Sequence, residues 1–142
     1  DICAHWRFKT PEIAVKSSNK IFAMYLDYRD EEDFIGMDMC RKFLEMGFTR
    51  SRRYANHRDG KKYDKEGNII PQEPDHATCH FAKSARIFKN VRDMVAKNDI
   101  YVKMRKQWRS NESTHASRVD ALAAASNVKR SFYSRRSNEV SR

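Results

Sequence analysis

Apolar residues recur at three- to four-residue spacing through most of this chain, interrupted by short polar breaks, a pattern that predicts helices. Ile13, Ser17, Ile21, Met24, Tyr25 and Tyr28 share one mostly apolar face. They follow Thr10-Pro11-Glu12, which supplies a capping hydroxyl, a proline at the first helical position and an acid in the first turn. A first helix is expected to reach about Tyr28, and the cluster Asp30-Glu31-Glu32-Asp33 suits a turn before the electropositive start of the next. The second is expected over about Asp33 to Met46, with Phe34, Met37, Arg41 and Leu44 on one side and Phe48 beyond. Gly47 stands where a left-handed C-terminal cap belongs. A short third helix, about Thr49 to Asn56, follows.

Asp59-Gly60, Glu66-Gly67-Asn68, Pro71 and Pro74 mark residues 58–74 as an irregular connector with room for a short hairpin around Lys61-Lys62-Tyr63. Asp75 is expected to cap a fourth helix through about Lys97, carrying Phe81, Ala85, Phe88 and Val95. Asn98-Asp99 restarts a fifth with Ile100, Tyr101, Met104 and Trp108. After Arg109 the composition turns serine-rich and poor in large apolar groups, with a net charge of +3. The expected fold is therefore all-α: a small single domain of four or five helices over 1–109, then a basic, partly disordered tail over 110–142, where Val119 to Val128 has the composition to turn helical beside a partner.

Charge adds a partner to this picture. The 142 residues hold 29 Lys and Arg against 19 Asp and Glu, a formal +10 with a pI of about 9.7. Such a balance favours nucleic acid, an anionic membrane surface or an acidic protein. The excess is densest between Thr49 and Tyr63, where Arg50, Arg52, Arg53, Arg58, Lys61 and Lys62 face one acid, Asp59, and are interleaved with Tyr54, His57 and Tyr63. Cations for phosphates beside flat rings for bases are the ingredients of a nucleic-acid surface, DNA or RNA alike. Trp6, Arg7, Phe8 and Lys9 are candidates to extend it, although Trp6 and Phe8 also suit core anchors. The competing account of the basic segment is a solvated helix face whose arginines pair with the 30–33 acids.

The ordered blocks Trp6-Arg-Phe-Lys-Thr-Pro-Glu-Ile13, Gly36-Met-Asp-Met-Cys-Arg-Lys-Phe-Leu44 and Met46-Gly-Phe-Thr-Arg-Ser-Arg-Arg-Tyr-Ala-Asn-His57 resemble the domain of unknown function 4385 family over roughly residues 5–109. The resemblance implies a single compact domain and supplies no catalytic residues.

Other chemistry has thinner support. His76, Cys79 and His80, with Cys3 and His5 at a distance, lack the paired spacing of a zinc site and read as surface helix residues, so no metal and no cofactor is expected. Asp38, Arg41 and Glu45 fall at i, i+3 and i+7, so that Arg41 can bridge both carboxylates, an arrangement that orients structure and leaves a poor proton donor. The chain has no glycine-rich phosphate loop, nucleophile elbow or two-metal carboxylate cluster. Catalysis, with His57 as a base on a phosphodiester, is the third reading.

Three widely spaced cysteines, Cys3, Cys40 and Cys79, imply no disulfide framework and point to a reducing, intracellular compartment. No apolar run approaches the roughly 18 residues of a membrane span. The chain opens on Asp1, as expected of a piece of a longer protein. The leading reading is a nucleic-acid-binding protein of weak sequence preference. The second is a structural or interaction subunit of a large assembly, such as a ribonucleoprotein or capsid, whose tail folds between partners.

Overall fold

A computed structural model describes the backbone of residues 1–140 and the side chains of residues 1–125. A short 3-10 turn, Ile2–His5, precedes four α-helices: α1 Pro11–Asp30, α2 Phe34–Asn56, α3 His80–Ala96 and α4 Asp99–Val140. The chain divides into two compact units, Asp1–Met104 and Arg105–Arg142. The first is a helical bundle in which α1, α2 and α3 each pack on the other two. No strand occurs among the described residues; a single antiparallel bridge joins Tyr63 and Ile69.

Capping decides where the first two helices begin. The Thr10 side chain accepts from the Ile13 N–H (3.2 Å), with Pro11 at the first helical position, and Asp33 Oδ1 accepts from the Gly36 N–H (3.1 Å). Inside, Ile21, Tyr25, Met37, Leu44, Phe88, Val95 and Tyr101 are fully buried and form one core. Polar groups at its edge are matched: the Tyr25 hydroxyl donates to Asn98 Oδ1 (3.0 Å) and the Tyr101 hydroxyl to Asp38 Oδ1 (2.7 Å), fastening the start of α4 to α1 and α2.

Three sequence expectations are corrected. Gly47 does not end a helix: α2 runs on to Asn56, so the separate third helix is its C-terminal portion. A Cβ at Gly47 would lie 2.4 Å from Phe88 Cδ1, so the glycine lets the Phe88 ring of α3 close onto the α2 backbone. From there Ser51 and Ala55 continue the buried small-residue stripe of α2, and Ala82, Ser84 and Ala85 are buried on α3, which runs antiparallel to it. Asp75 does not cap α3: the chain turns at 75–79, with Thr78 N and Cys79 N bonded to Asp75 O, and the helix starts at His80. Arg41 does not bridge two carboxylates. It bonds Asp38 (2.9 Å), while Glu45 is taken by Arg92 of α3.

In the second unit, every described side chain from Lys106 to Ala125 is exposed and the backbone is helical. The partly disordered tail expected over 110–142 lies, from residue 126 onward, outside the residues whose side chains are described.

Candidate nucleic-acid interface

The last two turns of α2 and the connector after it hold the basic segment. Arg50 and Arg53 are exposed on the helix, Arg58 and Lys61 on the loop, and Lys62 is half-buried with its Nζ 5.6 Å from the Tyr63 ring centre. Tyr63 is 54% exposed at the base of a small hairpin that closes through Ile70 N to Lys62 O (2.8 Å) and Asp64 N to Asn68 O (2.9 Å). The connector is pinned to the bundle rather than loose: Glu73 N bonds Asn56 O (2.8 Å) at the end of α2.

Two of the sequence candidates are occupied with the fold. Arg52 is half-buried, and its guanidinium bonds Asn56 Oδ1 (2.8 Å) and the carbonyl of His76 (3.2 Å), tying the connector back to α2. His57 is 5% exposed. It stands one residue past the helix in extended backbone (φ −139°, ψ 112°), so it does not continue the exposed face of Arg50 and Arg53. Its backbone N–H still bonds Arg53 O (2.9 Å). A ring buried in this way is not presented to a base or a phosphodiester.

The pairing of these arginines with the acids at 30–33 does not occur among the described residues. Of the six cations, Arg58 alone has an ion pair there, with Glu73 at 3.7 Å, and its side chain is 79% exposed. An ion pair this exposed contributes little to stability.

Tyr54 connects the basic segment to a feature of tertiary origin. Its half-buried ring lies between Phe8 (6.1 Å between centres) and Phe81 of α3 (5.4 Å, stacked). Trp6 stands 5.2 Å beyond Phe8, and His80 4.3 Å beyond Phe81. The result is a row of five rings drawn from the N-terminal segment, α2 and α3. Trp6 is held by its indole N–H on Phe43 O (2.9 Å) and an edge contact with the Phe43 ring. Gly60, at φ +76°, brings the connector backbone onto Tyr54; a Cβ there would lie 2.9 Å from Tyr54 Cε1.

Trp6, Phe8, Tyr54 and Phe81, with Arg7 and Lys9, line a groove of about 390 Å³. A smaller groove, about 280 Å³, also lined by Tyr54 and Phe81, includes Arg58 together with Glu73 and Asp75. Trp6 and Phe8 pack against the core, as the anchor reading expects, and also line the larger groove. Phe81 is the residue that sequence reasoning missed here. Its spacing places it on a helix stripe, and only the α2–α3 contact carries it to Tyr54.

Among the described residues no group of three or more His, Cys, Asp or Glu converges to hold a metal ion, and no helix is long and apolar enough to cross a membrane. The three cysteines are free. Burial pushes the Cys40 thiol up to about 12, so Cys40 is a core residue without nucleophilic character at neutral pH. A family model described as Domain of unknown function (DUF4385) matches residues 1–111. No curated protein and no solved structure matches the chain.

Proposed function

The chain belongs to the domain of unknown function 4385 family, a description that names no activity, and from the surface itself we propose that it binds nucleic acid with weak sequence preference. The observation that carries this reading is the strip of exposed, weakly paired cations on the end of α2 and the following loop, next to a row of rings. Arg50, Arg53 and Lys61 have no ion pair among the described residues, and Arg58 has only its exposed one with Glu73, so their charge is available to displace counterions from a phosphate backbone. Phosphate contacts position a strand and carry no sequence information, hence the weak preference. Arg52, bonded to Asn56 and the His76 carbonyl, and His57, buried, leave the contact set; Lys62 and Tyr63 remain in it.

The test is a charge reversal at Arg50 and Arg53, assayed with fluorescent oligonucleotides across a salt series. Loss of two single-strand phosphate contacts lowers the log–log salt slope by roughly 1.4. Unchanged affinity and slope would remove these residues from the interface.

A second reading, an interaction subunit of a larger assembly, draws on the second unit. There Val119 (49% exposed) and Leu122 (72%) stand one helical turn apart. Its discriminating measurement is the order of residues 110–142 with and without partners, by amide hydrogen exchange.

A further inference from the structure

We infer that the groove between Trp6, Phe8, Tyr54 and Phe81 receives an unpaired base, so that the protein selects single-stranded over double-stranded nucleic acid. This rests on the nucleic-acid reading above and assigns it a ligand form.

The walls suit a flat ring. Trp6, Phe8, Tyr54 and Phe81 follow one another at 5.2, 6.1 and 5.4 Å between centres, tilted or stacked, and each is half-buried. Their rotamers are set in advance, Trp6 by its bond to Phe43 O, and Tyr54 by Phe8, Phe81 and the Gly60 backbone. A preformed aromatic wall orders little on binding, and every base has a face to offer it. At about 390 Å³ the groove falls within the size range of small-ligand sites.

Charge identifies what the flat ring is attached to. Arg7 and Lys9, both exposed, line the groove, and no carboxylate does. The Arg7 guanidinium is positioned by the carbonyls of Trp6 (2.6 Å) and Cys3 (3.3 Å), contacts that leave its charge uncompensated. Arg50 lies one helical turn before Tyr54, on the same stripe of α2. An apolar slot lined by Arg7 and Lys9, with Arg50 a helical turn from Tyr54, complements an aromatic ring carrying flanking phosphates. The adjacent groove mixes Arg58 with the carboxylates Glu73 and Asp75 and offers no such uniformly cationic rim. Bases in a duplex keep their faces stacked on one another, whereas a single strand exposes them.

The experiment uses the full chain carrying Trp108→Phe, in which Trp6 is the single tryptophan. Trp6 emission and binding affinity are measured with an oligothymidylate and with a duplex of equal length at low salt. The expected result is quenching of Trp6 by the single strand alone, with affinity about ten-fold above the duplex. Lys9→Glu, an exposed change that leaves folding intact, should weaken the single strand several-fold more than the duplex. Equal affinity for the two forms without quenching would overturn the base groove and leave the phosphate strip standing. Absence of binding to either form would overturn both. Quenching by free thymidine monophosphate as strong as by the oligomer would replace the strand with a mononucleotide and overturn the selectivity.

Discussion

Two stretches of one helix treat their charges in opposite ways. Between Phe34 and Phe48, α2 faces α3 and Tyr101 of the first turn of α4, and its charged groups are spoken for: Asp38 holds Arg41 and the Tyr101 hydroxyl, and Glu45 holds Arg92, which also bonds Asp93 and lies over the Phe48 ring. Between Arg50 and Asn56, Arg50 and Arg53 stand in water with no ion pair among the described residues. The paired stretch spends its charges on joining helices. The unpaired one keeps those of Arg50 and Arg53 available, while Arg52 is held by Asn56 and the His76 carbonyl. That contrast, more than the formal +10, separates the scaffold from the proposed interface.

The contrast breaks first at the seam the two stretches share. Phe88 is fully buried against Gly47, so Phe88→Ala removes a large ring and leaves a cavity that rigid helix backbone cannot fill. A loss of about 3–5 kcal/mol is expected in urea unfolding. A loss below about 1 kcal/mol would mean that the α2–α3 seam is not the mechanical centre of the bundle.

The next effect tests the paired stretch. Burial raises the Asp38 pKa, but the Tyr101 hydroxyl and Arg41, helped by Lys42, outweigh it and hold the carboxyl below its ordinary value. A group depressed in the folded state contributes stability above its unfolded pKa and loses it as pH falls through the folded one. Stability should therefore decline in acid, below the ordinary carboxylate range. Asp38→Asn should flatten that part of the curve. Tyr101→Phe removes a charged hydrogen bond and should cost about 2 kcal/mol at neutral pH. An Asp38→Asn curve parallel to that of the unaltered chain would show that Asp38 is not a linkage group.

The first two helix starts were legible from sequence because a cap is local: Thr10 and Asp33 act through bonds to residues three positions on. By contrast, α3 begins at His80 with no side-chain cap, and the local signal at Asp75 misplaces its start. Gly47 misled for the opposite reason. A glycine after an apolar helix face resembles a C-terminal cap, and what requires it is Phe88, 41 positions away in the chain. Glu45 shows the same limit, since Arg41 is its neighbour in sequence and Arg92 its partner in space. The cationic strip could be read directly because it is one contiguous segment. Its edges could not: His57 turns inward where the helix ends, and Arg52 is drawn to the carbonyl of His76. The ring row needs three separate segments to meet, so Tyr54 was visible as a candidate and Phe81 was not.

Gly60 sharpens the boundary between the two regions. At φ +76° an alanine is strained, and its Cβ would press on Tyr54. Gly60→Ala should cost about 1 kcal/mol, since the loop is at the surface and adjusts in part. The informative readout is Trp6 emission in the Trp108→Phe background. A shift there would show that the connector sets the position of the ring row, whereas a stability change with unaltered emission would confine its role to the loop.

The smallest effect on stability is the one the comparison depends on most. Arg50→Gln with Arg53→Gln removes two exposed charges that hold no carboxylate, so the unfolding free energy should stay within about 0.5 kcal/mol. The glutamines keep the helix propensity of α2 close to that of arginine, so a change in unfolding cannot be assigned to the backbone. The counterpart is Arg92→Gln, which abandons Glu45 across the α2–α3 seam and should lower stability measurably. Measured together by denaturation and by salt-dependent oligonucleotide binding, the two variants should separate completely. The Arg92 change should move unfolding and leave the salt slope alone, and the Arg50 and Arg53 change should do the reverse. If both moved stability equally, the exposed arginines would be part of the scaffold, and the distinction between the two stretches of α2 would fail.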